Sequence, residues 1–377
     1  MTVMVWKIIS DPDEEENAFS QGEGRKRAGE RGSEGLGNTE SSFSLSPLRS
    51  PRLCGEIHRF GGKTMARFVS VSSISFSTGT GEDPQKMQRA MGLWESYIDM
   101  AALDKPDIIL LPEIFLQNTA GSSTKERKAA RADLLPEGGE ITGFLSRKAK
   151  EHNSYIFASY WRRDEKDRGR YNSAVLFDRG GKVVGAYDKV FPTIGEMEDG
   201  TLPGKEAKIF QTDFGRVGAI ICFDLNFQEL LADYKSKDVE LLCMLSAFRG
   251  GFMVPAAAFK NQIFIATSTP GENSLIVDPL GRTLAESSAY GRIIFAKVNL
   301  DSRIVHIDYN QQRVADMKKK YQEHVRIEVA SPEAVYFISS LHPEKSVQDM
   351  IKEFEVETLD EYLDRARRER MKYLPEN

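Results

Sequence analysis

Three short stretches of the chain put a reactive or charged side chain at the end of an apolar run. In residues 110–115 (LLPEIF) Glu113 follows a proline directly after the apolar segment 107–111. In residues 187–193 (YDKVFPT) Lys189 stands just past another such segment, and in residues 218–227 (GAIICFDLNF) Cys222 ends a third. Carboxyl ends of strands are where open α/β sheets place their ligands. A cysteine needs a base to become a good nucleophile, because a free thiol is mostly protonated near neutral pH. The oxyanion formed when it attacks a carbonyl also needs a cation or donors aimed at it. A carboxylate and an ammonium fill those two roles. None of the five histidines (His58, His152, His306, His324, His342) occupies a comparable strand end. Each of the three residues alone has an ordinary reading: loop carboxylate, surface lysine, small buried side chain. Together they point to nucleophilic catalysis by cysteine.

The elements that must position them follow from periodicity. Residues 67–76 (RFVSVSSISF) alternate in strand fashion, and residues 84–102 carry Met87, Met91, Trp94, Ile98 and Ala102 at helical spacing. The all-apolar 107–111 run suits a strand buried on both faces. A helix is expected over 142–152 and a strand over 154–161. Strands over 172–178 and 182–187 flank Arg179–Gly181 as a hairpin. Further strands are expected over 217–222, 239–245, 263–268, 274–278 and 293–298, with a helix over 227–235. After Asp301 the chain reads as mostly helical and charged, over 308–325, 346–355 and 359–373. The alternation of strands and helices makes a layered α/β core.

Composition narrows the class. The chain has 377 residues, 40% of them hydrophobic and 28% charged, with 51 Lys+Arg against 56 Asp+Glu and a net charge of −5. That balance shows no basic surface for nucleic acid, and no apolar run approaches the roughly 18 residues of a membrane span. Three cysteines cannot build a disulfide framework, which makes a reducing, cytoplasmic setting the expectation. Residues 1–64 are rich in Gly, Ser and charge without apolar period, so a disordered leader is expected there, with Met65 as an alternative start.

In these motifs the chain resembles the nitrilase superfamily of carbon–nitrogen hydrolases. The resemblance rests on the strand ending in Pro112-Glu113, on Tyr187-Xaa-Lys189, and on Gly218 through Cys222-Phe223-Asp224. The intervals of 76 and 33 residues between the three sites fit it. Tyr171-Asn172-Ser173 before a strand and the Asp278-Pro279-Leu280-Gly281 turn also match, and the likeness covers about residues 66–300. It implies a four-layer α-β-β-α sandwich and hydrolysis without cofactor or metal. It further implies Glu113 as base and acid, Cys222 as nucleophile, and Lys189 with the backbone N–H of Phe223 around the oxyanion. Glu196 best matches a second glutamate found in many members, with Glu198 next. Two positions depart from the common pattern: Asn226 replaces an arginine and Gln228 a proline.

Cys222 is followed by Phe223-Asp224 rather than Trp-Glu, as in the amidase and carbamoyl-hydrolase branches. The resemblance therefore implies a small amide or N-carbamoyl substrate that releases ammonia. The alternatives are a nitrile substrate, or a catalytically silent member serving as a binding module. Phe115, Phe223, Ala247 and Phe248 are placed to line the pocket, unless they are core or loop packing. The division expected is a hydrolase domain over 65–300 and a helical tail over 301–377. In such a family the tail implies a homodimer or larger homo-oligomer.

Overall fold

In the computed structural model the described residues are 67–78, 84–116, 133–135, 138–164 and 169–375. The expected leader and Met65 lie outside them. Three sheets organise these residues. The first has seven strands: β1 (Phe68–Ile74), β2 (Ile108–Leu110), β3 (Asp133–Leu135), β4 (Tyr155–Asp164), β5 (Arg170–Phe177), β6 (Val183–Asp188) and β13 (Ile293–Asn299). Its order is β13-β1-β2-β4-β5-β6, with β3 on β4. The second runs β12-β11-β10-β9-β8-β7, from β7 (Ile209–Gln211), β8 (Arg216–Ile221), β9 (Leu241–Leu245), β10 (Phe264–Ser268), β11 (Leu275–Val277) and β12 (Thr283–Glu286). Parallel pairs β1–β2, β2–β4, β8–β9 and β9–β10 form the centres, and antiparallel pairs the flanks.

Strand alternation decides which side chains meet which layer. Ile108, Leu110, Tyr155, Phe157, Ala174 and Leu176 point into the core shared with the second sheet. Their neighbours Ile109, Leu111, Ile156, Ala158, Val175 and Phe177 point the other way, into a core against helices. Those helices are α1 (Pro84–Ala102) and α2 (Glu140–His152), which bury Ala90, Trp94, Ile98, Ile141, Phe144 and Leu145. On the far face of the second sheet, α4 (Gln228–Ser236) and α5 (Met253–Asn261) bury Leu230, Leu231, Tyr234, Val254 and Ala258. The short α3 (Ile194–Glu198) follows β6 and buries none of its residues. The result is the expected α-β-β-α sandwich. Two buried hydroxyls tie the sheets between β1 and β10: Ser73 Oγ donates to the Thr267 carbonyl at 2.7 Å and Ser268 Oγ to the Ile74 carbonyl at 2.8 Å.

The segment after Asp301 corrects the expectation of a helical tail. Helices α6 (Gln311–Tyr321), α7 (Val347–Glu353) and α8 (Leu359–Lys372) are present. They accompany a third, antiparallel sheet, β14-β16-β15, built from β14 (Ser302–His306), β15 (Val325–Ala330) and β16 (Val335–Ser340). The β-branched and aromatic content of VRIEVA and VYFISS favours strands, and charged residues interleaved in the first hide that signal. Val305, Met317, Ile338 and Met350 form a core of their own. Ile304, Val335 and Phe337 join the main core instead.

Candidate active site

Each of the three residues singled out by type leaves the end of a strand. Glu113 follows β2 by three positions, Lys189 follows β6 directly, and Cys222 follows β8 directly. Two sharp turns aim them. Cys222 has φ of 48° and begins a 3-10 turn, Cys222–Asn226, while Ile114, next to Glu113, has φ of 49°. A β-branched residue rarely takes that conformation, and such strain, worth about 1–3 kcal/mol, persists only where surroundings enforce it. Around Ile114 they do: its N–H donates to Ser159 Oγ at 3.2 Å, and Phe115 N–H donates to the Ser159 carbonyl at 3.2 Å.

The charged groups then close on one another. Lys189 Nζ donates to Glu113 Oε1 at 3.0 Å and to Glu196 Oε2 at 2.8 Å, and is 1% exposed. Burial alone would lower its pKa, but Glu113, Cys222 and Glu196 overcome this and raise it, so the ammonium is permanent. Glu196 belongs to α3, where it closes a capping box with Thr193 and receives the Thr193 N–H at 2.7 Å. Burial pushes its pKa up, yet Lys189 and these donors more than offset that and hold it low. Glu113 Oε2 accepts the Ala247 N–H at 2.8 Å. Cys222 interacts with Glu113 and Ser246. Burial and the negative charge of Glu113 push the thiol well up, against the pull of Lys189. That direction favours the protonated thiol.

Several residues that hold this arrangement stand in the sequence only as flanks of the motifs, with no role assigned to them there. Asn172 Nδ2 donates to Glu113 Oε1 at 2.7 Å and to Glu196 Oε1 at 3.2 Å. Asp224, with no exposed surface, accepts from Tyr187 Oη, Ile221 N–H and Phe191 N–H, each at 2.8 Å. It thereby joins the lysine segment to the cysteine turn. Phe191 stacks on Phe227 with centroids 3.6 Å apart, and Phe223 meets Phe227 edge-on at 5.4 Å.

Of the side chains expected to line a pocket, Phe223 and Phe248 are partly open, at 37% and 38% exposed. Ala247 takes part through its backbone. Phe115 is a correction: its ring is 2% exposed and packs edge-on against Trp94 at 5.2 Å, in the helix-side core. The turn at Ile114 sends it there, and Trp94 Nε1 holds its carbonyl at 3.1 Å. Glu198 is not among the partners of Lys189, Asn172 or Thr193, so Glu196 is the glutamate that joins the cluster. Asn226, at the departure from the common pattern, donates to the Phe223 carbonyl at 2.9 Å and so braces the turn.

Among the described residues, one grouping has the donor types for a metal: Asp99, Glu151 and His152. Lys148 already lies between them, with Nζ 2.9 Å from Glu151 Oε2 and paired to Asp99, so the grouping reads as an ion-pair cluster.

Comparison with known proteins agrees with this fold. The family model described as carbon–nitrogen hydrolase matches residues 84–304. The chain is 25% identical over 265 residues to "Omega-amidase NIT3" of Saccharomyces cerevisiae, covering 63% of this chain and 89% of that protein. It is 27% identical over 263 residues to "Omega-amidase NIT2" of Homo sapiens, covering 63% and 91%. Among solved structures, Saccharomyces cerevisiae Nit3, a member of branch 10 of the nitrilase superfamily, superposes with a TM-score of 0.54 at 21% identity, covering 63% of this chain and 92% of that one. An amidase from Nesterenkonia sp. gives 0.54 at 19% identity, covering 68% and 97%.

Proposed function

As the chain belongs to the carbon–nitrogen hydrolase family, we propose that it hydrolyses the C–N bond of a small carboxamide through a thioester on Cys222, releasing ammonia. The observation that carries the reading is Lys189, buried and shared at 3.0 and 2.8 Å between Glu113 and Glu196. That leaves Oε2 of Glu113, held by Ala247, to receive a proton. The omega-amidases among its relatives support an amide rather than a nitrile.

The Cys222 thiol gives its proton to Glu113 as sulfur bonds to the carbonyl carbon. The oxyanion that develops is held by Lys189 Nζ and the Phe223 N–H. Collapse breaks the C–N bond, and Glu113 passes the proton to the departing nitrogen, which leaves as ammonia. Glu113 then takes a proton from water, whose oxygen attacks the thioester. Sulfur leaves and recovers that proton, giving the carboxylic acid. One amide and one water thus yield one acid and one ammonia.

An ammonia-release screen over ω-amides, aliphatic amides, N-carbamoyl amino acids and nitriles tests the reading. Turnover of amides by the wild type and its loss in a folded Cys222→Ala are expected. Activity retained by Cys222→Ala removes the nucleophile assignment. We also propose that the C-terminal extension joins copies of the chain, a reading supported by Leu363, Met371 and Tyr373, which α8 and its end leave exposed; sedimentation measures it.

A further inference from the structure

We infer that Asn172 is a positioning residue whose side-chain amide, locked in one orientation by Ser159, directs the Cys222 proton to Oε2 of Glu113. The inference rests on the hydrolysis proposed above, with Glu113 as the base.

The argument is a count of donors and acceptors. The Ile114 N–H points at Ser159 Oγ, so the hydroxyl accepts there and must donate its own hydrogen elsewhere. Asn172 Oδ1 takes it, at 2.9 Å. The direction of that bond settles the amide: the oxygen faces Ser159 and the nitrogen faces the glutamates. Both of its hydrogens are then spent, one on Glu113 Oε1 at 2.7 Å and one on Glu196 Oε1 at 3.2 Å. Ser159 is 0% and Asn172 1% exposed, so water cannot substitute for either partner. A flipped amide would turn a carbonyl oxygen toward two carboxylates.

The consequence falls unequally on the two carboxylates. Glu113 Oε1 accepts from both Lys189 and Asn172, which occupies its lone pairs. Glu113 Oε2 accepts only the Ala247 N–H among the described donors and retains a site for the thiol proton. Glu196 has Lys189 and Thr193 on Oε2 and Asn172 on Oε1. The amide therefore bridges two neighbouring carboxylates and leaves one oxygen of one of them open. The backbone adds to this: the Asn172 carbonyl accepts the Lys189 N–H at 2.9 Å, so one residue sets the register of base and cation.

The test follows the rate of Cys222 alkylation by iodoacetamide against pH, beside the pH profile of kcat/KM. The titratable and charged groups facing Glu113 are Lys189 from the end of β6, Glu196 from α3 and Cys222 from the end of β8. In Asn172→Ala both carboxylates lose a charge-assisted bond, so the acid limb of both profiles is expected to move up by about one pH unit. Ser159→Ala, nearly isosteric in its buried site, should move it in the same sense by less, and it serves where Asn172→Ala fails to fold. Lower rates with an unmoved acid limb in both variants would mean a purely structural role and overturn the inference. A wild type whose labelling shows no acid limb overturns the base assigned to Glu113, and this inference with it.

Discussion

The Tyr187 hydroxyl donates to Asp224 Oδ2 across 2.8 Å, with Tyr187 1% and Asp224 0% exposed. Burial pushes the Asp224 carboxyl from 3.8 up to about 6, against the bonds from Ile221, Phe191 and Tyr187 that favour its charged form. A carboxyl whose pKa is higher folded than unfolded favours the fold most when protonated. That contribution is complete below about pH 4 and is lost as pH rises through about 6, and its size is about 3 kcal/mol. Asp224→Asn lacks this titration. Urea unfolding should show the wild type losing about 3 kcal/mol relative to the variant between pH 4 and pH 7.5. A difference independent of pH would contradict the shift.

Gly204 lies against the lysine segment. Its N–H donates to the Lys189 carbonyl at 2.7 Å, and a Cβ on it would stand 2.1 Å from the Asp188 carbonyl oxygen. Gly204→Ala must displace that segment, and a misplacement near 1 Å can lower the rate about 100-fold. The expected outcome is a kcat down by about that factor with an unchanged far-ultraviolet circular dichroism spectrum. Full turnover would show that the segment yields without moving Lys189.

Lys189→Met leaves Glu113 and Glu196 facing each other without their cation. Removing one partner of a buried ion pair is worth about 3–5 kcal/mol of stability, and losing an oxyanion donor about 100- to 1,000-fold in kcat. Because Lys189 is what holds the buried Glu196 carboxyl low, its loss weighs most where that carboxyl is charged, and the stability deficit should shrink as pH falls from 7 toward 4. A deficit that grows on acidification would refute the ion-pair account.

The extension after Asp301 is part of the fold. Phe337 of β16 belongs to the main core and lies 6.4 Å, centroid to centroid, from Phe264 of β10. Phe337→Ala should lower unfolding stability by about 3–5 kcal/mol. A loss below about 1 kcal/mol, read by chemical denaturation, would show the extension to be merely appended.

The sandwich was legible because its strands are short apolar runs cut by turns, and their alternation sorts side chains between two cores. The expected helix over 84–102 matches α1 as observed, and the expected hairpin is β5–β6. Glu113, Lys189 and Cys222 were legible because a polar residue ending an apolar strand is conspicuous. Phe115 was misread because its direction depends on the left-handed turn at Ile114, and isoleucine is a residue that does not advertise one. The work done by Asn172 and Ser159 was hidden because both are buried inside strands, where a polar side chain shows its role only through partners distant in sequence. The helix α5 escaped because MVPAAAFKN carries little contrast between its faces. In the extension, β15 escaped because charges alternate with its apolar residues.

The proposed base and nucleophile stand on different sheets: Glu113 follows β2 of the first and Cys222 follows β8 of the second. Their separation is therefore a readout of how far apart, and how well aligned, the two layers lie. The apolar seam between the sheets and the hydroxyl ties of Ser73 and Ser268 act as the spacer of that gauge. A small slip of one layer would part thiol from carboxylate while every strand stayed paired within its own sheet. Turnover would then fade before unfolding begins, which makes the reaction itself the most sensitive measure of the protein's interior packing.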